Sequence, residues 1–138
     1  MRLVVMDAQG GGMGRMLIEQ LKKALPDQPI IAVGTNALAT SAMLRAGADQ
    51  GATGENAVVV CSGQADVIAA PLGMVLADAM LGEVTEKMAA AVGRSSARRV
   101  LIPAGRCGTV VAGLPKVTMA EAVSAAVSAI CEIAEKET

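Results

Sequence analysis

The residues best suited to chemistry stand near the start of the chain, in Asp7-Ala8-Gln9-Gly10-Gly11-Gly12-Met13-Gly14-Arg15. Four glycines within five positions let backbone approach a ligand closely and let successive N–H groups converge on negative charge. A helix starting there adds partial positive charge. Phosphate is the natural occupant, with Gly10, Gly11, Gly12 and Gly14 as its contacts. Arg15 falls in the first helical turn, where the macrodipole disfavours a cation unless an anion pairs with it, so it joins the candidates. Asp7 ends the preceding apolar run. A carboxylate beside such a loop either orders it through its N–H groups or acts as a base. The same glycines also suit a tight strand-to-helix turn that holds no ligand.

Known phosphate motifs are met only in part. GxGxxG fails because Arg15 stands where its third glycine belongs. GxxxxGK[ST] fails because Gln9, Arg15 and Met16 occupy the glycine, lysine and hydroxyl positions, which removes the magnesium-binding hydroxyl and ATP hydrolysis by that route.

Composition removes more chemistry. The chain has no His, Phe, Tyr or Trp. Without imidazole there is no Ser-His-Asp triad, Cys-His pair or His-containing zinc site. Without aromatic rings there is no stacking platform for single-stranded nucleic acid, and a bound adenine must lie between aliphatic walls. A net charge of −1, from twelve basic and thirteen acidic residues, cannot supply the positive field that nucleic-acid binding needs.

Cys61, Cys107 and Cys131 are widely spaced without a CxxC pair and read as reduced cytosolic thiols. Arg106-Cys107, between Gly105 and Gly108, is either a thiol activated by its cationic neighbour or a small apolar filler. Cys61 and Cys131 fit helix faces. Asp7, Asp49, Glu55, Asp66, Asp78 and Glu83 are further acids, and no spacing singles out a pair.

The elements that position these residues follow from apolar periodicity. Leu3–Met6 is a short unalternated apolar run, as in a parallel strand covered on both faces, and is too short for a secretory leader. Met13, Leu17, Leu21 and Leu25 recur every four residues and predict an amphipathic helix ended by Pro26. Ile30–Val33 is a second strand, which completes a βαβ unit. Asn36–Ala46 is helical with Gly47 as its C-terminal cap, and Ala48–Gly54 a loop. Residues 55–62 carry mixed signals, Val58-Val59-Val60 for a strand and the need for a crossover for a helix; helix is the choice. Val67–Ala70 is a strand stopped by Pro71, and Met74–Gly93 mostly helix with a break near Gly82. Val100–Ile102 and Val110–Ala112 are strands, and Thr118-x-x-Glu121 is a capping box ahead of a long C-terminal helix. The pattern is one α/β domain over residues 1–138: a three-layer Rossmann-like sandwich on a mostly parallel sheet of four or five strands.

Such sheets bind ligands beyond the C-terminal ends of their strands. Those ends are Asp7, Gly34-Thr35-Asn36, Pro71-Leu72-Gly73 and Pro103 to Gly108. In an NAD-type site an acid after the second strand holds the ribose. Thr35 and Asn36 stand there instead, with Ser41 and Arg45 one and two turns on. Thr35 and Asn36 are thus candidate ribose contacts, or one of them caps the next helix.

Several segments in order, Asp7 to Gly14, Gly34-Thr35-Asn36-Ala37 running on to Ala39-Thr40, Ala46-Gly47-Ala48, Thr53 to Ala57, Met80-Leu81-Gly82-Glu83, and Ile102-Pro103 with Arg106-Cys107, resemble an uncharacterised bacterial domain-of-unknown-function family of small Rossmann-like proteins. Ala8 departs from the glycine common at its position. The resemblance implies a compact cytosolic protein and lends no reaction.

The expectation is a cytoplasmic protein binding a small phosphorylated ligand, NAD(P) or another nucleotide first among them, with no nucleic-acid or membrane partner and no metal. Its apolar excess, drawn from small side chains that each bury little area, points to a homodimer or higher homo-oligomer. The rivals are a non-catalytic assembly protein, using Pro71 to Met80 and the C-terminal helix, and a small enzyme for a phosphorylated metabolite using Asp7 or Cys107.

Overall fold

Alternation along the first strand sets the layering. In a computed structural model that describes residues 1–104 and 108–137, β1 (Leu3–Asp7) is buried along its length. Its Leu3 and Val5 face one core, and Val4 and Met6 the other. The first core is closed by α1 (Gly12–Ala24), α2 (Ala37–Arg45) and α5 (Met119–Glu137). The second is closed by α3 (Glu55–Gln64) and α4 (Glu86–Arg94). Between these layers lie β2 (Ile30–Gly34), β3 (Gln50–Thr53), β4 (Val67–Pro71) and β5 (Arg98–Ile102). The sheet is five-stranded in the order β3-β2-β1-β4-β5, every neighbouring pair parallel. This is the Rossmann-like α/β sandwich expected.

Three expectations about elements are corrected. Residues 50–53 are a strand and not loop: β3 pairs Gln50–Thr53 with Ile31–Gly34. It is a largely exposed edge, so it carries no apolar signature, and backbone pairing alone defines it. Val110–Ala112 forms no strand. Val110 is 87% exposed, and its β-branched character finds no sheet to join. The helix expected over 74–93 is only α4. A 3₁₀ turn occupies Leu72–Val75, and the chain then turns through left-handed backbone at Asp78, Met80, Leu81 and Gly82. A helix restarts where the Thr85 side chain accepts the Met88 amide. Residues 55–64 are helical, because a parallel connection from β3 to β4 needs a crossover element.

The capping box at Thr118 and Glu121 is formed in both directions, at 3.1 Å each. No helix among the described residues is long and apolar enough to cross a membrane. The Pro71 to Met80 segment is no free apolar face: Pro71, Gly73, Met74 and Ala79 are buried. Arg106 and Cys107 lie outside the described residues. Cys61 and Cys131 are half-buried free thiols on α3 and α5.

Candidate functional site

From β1 the chain runs outward through β2 to β3, then returns to the other side of β1 for β4. This reversal leaves a crevice beyond the C-terminal ends of β1 and β4, the place where open parallel sheets bind ligands. A cleft of about 210 Å³ lies there, with Asp7 to Met13 as its floor and Pro71, Met80, Ala104 and Met119 as its walls. Larger hollows of about 390 and 420 Å³ gather around Met1, beside Leu25 and Pro29. They sit at the opposite, N-terminal end of the strands, where the loops that converge on the crevice are absent.

The four loop glycines divide into two pairs. Gly11 has φ +74, and a Cβ there would lie 2.8 Å from the Ala39 Cα and 2.9 Å from its carbonyl oxygen. Gly14 is buried, and its Cβ would meet the Met43 Sδ at 2.6 Å and the Asp7 Cβ at 3.0 Å. These two are needed for the turn and for packing α1 on α2. Gly10 and Gly12 differ. Both are exposed, neither has positive φ, and a Cβ at either would meet nothing within 4 Å.

Loop amides are also divided. Asp7 accepts the Ala8 amide at 2.8 Å and the Gly14 amide at 2.7 Å. The Gln9 amide donates to the Glu83 Oε1 at 2.9 Å, and the Gly11 amide to the Ala8 carbonyl at 3.1 Å. The amides of Gly10 and Gly12 have no partner among the described residues. Much of the loop is therefore satisfied internally, and the donors it leaves over are the Gly10 amide, ahead of α1, and the Gly12 amide at its first residue.

Burial raises the Asp7 carboxyl above its ordinary range. The amides of Gly14, Ala8 and Met13 pull it down, and repulsion from Glu83 adds to the rise. Both its oxygens are engaged, so Asp7 orders the loop. Arg15 points elsewhere: its side chain is 58% exposed and lies 3.7 Å from Glu19, one turn on, and it does not line the cleft.

Thr35 and Asn36 stand together at the end of β2, as expected, and Asn36 also caps α2 by accepting the Ala39 amide at 3.0 Å. What they hold was not anticipated. The Thr35 hydroxyl and the Asn36 side-chain amide donate to the Glu83 Oε1 at 2.7 and 2.8 Å, joining the Gln9 amide on that one oxygen. Asn36 also donates to the Gln9 carbonyl at 2.9 Å. These bonds fix Gln9 at φ 50, a left-handed conformation uncommon outside glycine. The Gln9 amide, helped by Thr35 and Asn36 and against partial desolvation, brings Glu83 below the ordinary carboxylate range. Glu83, named from the sequence only as one of six acids among which no spacing singles out a pair, joins the candidate site through these bonds. Its signals in the sequence are its place after the helix break at Gly82 and its inclusion in the family-like segment Met80-Leu81-Gly82-Glu83.

Among the described residues lining the cleft, Asp7 carries the only formal charge, so an anion there would rest on backbone dipoles. No group of three or more metal-ligating side chains occurs among the described residues.

No curated protein matches the chain in sequence. Among solved structures it is similar to a dodecameric FMN-dependent UbiX-like decarboxylase from Escherichia coli O157:H7, with a TM-score of 0.46 and 16% identity over 94% of this chain and 76% of that one. That likeness is too distant to bear on what this chain binds. The chain belongs to the family described as a domain of unknown function, DUF3842, whose model matches residues 2–135.

Proposed function

We propose that this protein binds a small phosphorylated ligand, a nucleotide first among them, with one phosphoryl group on the amides of Gly10 and Gly12. The carrying observation is that the fold has no steric or torsional use for glycine at these two positions, although it does at Gly11 and Gly14. Close approach of a ligand to backbone gives positions 10 and 12 a reason to lack a side chain. The partial charge at the start of α1 supports an anion there.

The cleft volume of about 210 Å³ falls below the roughly 300 to 1,000 Å³ usual for ligand pockets. A mononucleotide suits it better than NAD(P), and a single phosphoryl group suits two available amides better than a pyrophosphate. Calorimetric titration with AMP, ATP, NAD, NADP and coenzyme A tests the proposal. Heat with AMP that Gly12→Val abolishes supports it, and absence of heat with all five at millimolar concentration overturns it. Because the chain has no aromatic residue, co-purified nucleotide would also announce itself by absorbance.

Homo-oligomerisation is a second reading, favoured by one feature. Val110, Val111, Leu114 and Val117 in the connection from β5 to α5, and Met119 at the start of α5, are all exposed, and exposed apolar runs of this kind mark contact surfaces. Light scattering on the purified chain reads it directly.

A further inference from the structure

Parallel α/β sites that hold a nucleotide place the phosphate on the first loop and the ribose toward the end of the second strand, where an acid accepts from its hydroxyls. In this chain no acid occurs between Thr35 and Ala48. The sheet order nevertheless sets the ends of β1 and β2 side by side, and the fold delivers a carboxylate to that place from the connection between β4 and α4. We propose that Glu83 is the ribose-gripping acid of this site, so that the ligand is one carrying a vicinal diol, a ribonucleotide. This rests on the nucleotide reading above.

Three observations support it. First, the Glu83 Oε1 receives donors from three separate places, the Gln9 amide, the Thr35 hydroxyl and the Asn36 side chain, at 2.9, 2.7 and 2.8 Å. No hydrogen bond to the Oε2 occurs among the described residues. One oxygen is anchored, which fixes the plane of the carboxylate and leaves the other as a pre-oriented acceptor. Pre-orientation of this kind lowers the entropy lost on binding.

Second, the segment that presents Glu83 is held in costly backbone: Asp78, Met80 and Leu81 have φ of 65, 56 and 57. Left-handed backbone at such residues is rare and persists where surrounding contacts enforce it, often at functional sites. Core packing does not account for it at the tip, because Leu81 is 100% exposed. Third, Thr35 and Asn36 spend their donors on Glu83, which makes them positioning residues and explains why the end of β2 carries hydroxyl and amide groups in place of an acid.

Glu83→Gln separates a diol grip from a loop clamp. Its amide oxygen still accepts from all three donors, while the Oε2 acceptor becomes an N–H₂ donor. Calorimetry of wild type and Glu83→Gln, with AMP and with 2′,3′-dideoxyadenosine 5′-monophosphate, is the test, and circular dichroism confirms that the variant folds. Wild type is expected to prefer AMP by tenfold or more, and Glu83→Gln to lose that preference by binding AMP about tenfold more weakly with the dideoxy compound unchanged. Equal binding of both nucleotides by wild type overturns the proposal. So does a retained preference in Glu83→Gln, or an equal loss for both ligands, which would mark Glu83 as a clamp only. Absence of binding by either nucleotide overturns the nucleotide reading itself, and this inference with it.

Discussion

Alanine placed at each loop glycine in turn separates the two glycine pairs. At Gly11 the cost has two parts: left-handed backbone for a residue with a Cβ, about 1–2 kcal/mol, and a contact of 2.8 Å with the Ala39 backbone, which as overpacking costs about 1–3 kcal/mol. Loss of unfolded-state freedom returns about 0.4–1 kcal/mol, leaving a net destabilisation of roughly 2–4 kcal/mol. With about 2.1 cal/mol/K of unfolding entropy per residue over 138 residues, each kelvin of Tm corresponds to about 0.3 kcal/mol. Gly11→Ala should therefore melt about 7–14 °C below wild type. Gly10→Ala and Gly12→Ala meet no neighbour within 4 Å and should melt level with wild type or up to about 3 °C above it, while AMP affinity falls tenfold or more. The chain has no tryptophan or tyrosine to report unfolding, so ellipticity at 222 nm is the suitable signal. The reasoning is refuted if Gly11→Ala melts within about 2 °C of wild type, or if Gly12→Ala melts as low as Gly11→Ala.

The two site carboxylates should titrate in opposite senses. Burial holds the folded Asp7 above its ordinary 3.8, so its ionisation weakens the fold. The Tm of wild type relative to Asp7→Asn should fall as pH rises from about 3.8 through the raised folded value, and a flat difference would remove burial as the cause. Glu83 is held below 4.5, so its contribution is complete above 4.5 and lost as pH falls through the lowered folded value. Wild type compared with Glu83→Gln by the same melts checks this, and an advantage that grows on acidification would contradict it. Among the described residues the buried Ser62 hydroxyl on α3 has no partner, so Ser62→Ala should raise stability by about 1 kcal/mol in denaturant melts. A loss of that size would mean that the hydroxyl has a partner after all. Thr118→Ala removes the side chain that accepts the Glu121 amide and should cost about 1 kcal/mol, measured in the same way; no change would show that the cap contributes nothing to α5.

Which parts of this molecule were legible in its sequence follows from how each part is stabilised. Leu3–Met6, Ile30–Val33 and Val67–Ala70 form the centre of the sheet, covered on both faces, and their continuous apolar runs announce it. The amphipathic spacing of Met13, Leu17 and Leu21 announces α1 in the same way. β3 sits at an edge and is held mainly by main-chain bonds to β2, to which side-chain type is almost indifferent. Val110-Val111 misled for the converse reason: β-branched residues favour a strand only where a sheet edge is present to receive them.

The candidate site was legible as a place and less so as a mechanism. The glycine loop, Thr35 and Asn36 converge as the strand-end rule requires. Arg15 does not, because its helical position turns it toward Glu19. Glu83 is far from Gln9, Thr35 and Asn36 along the chain, and local pattern is blind to a contact at such separation. Arg106 and Cys107, the other residues singled out after a strand, fall outside the described part of the chain.

The two carboxylates bear on what the loop can receive. Negative charge beside a phosphate loop looks adverse, yet donors engage both oxygens of Asp7, from Ala8 and Gly14, and the Oε1 of Glu83, from Gln9, Thr35 and Asn36. Their effect is to fix the backbone on both sides of Gly10-Gly11-Gly12, including Gln9 in a conformation it would not hold alone. A loop restrained in this way loses little entropy when a ligand arrives. The same bonding uses up most of the donors, so the loop retains two amides and no cation among the described lining residues. Two amides suit a single phosphoryl group of modest charge better than a polyphosphate, whose greater negative charge calls for more donors. Affinity then has to come from the rest of the ligand, for which the described lining offers the aliphatic walls of Met80 and Met119, alongside the grip proposed for Glu83.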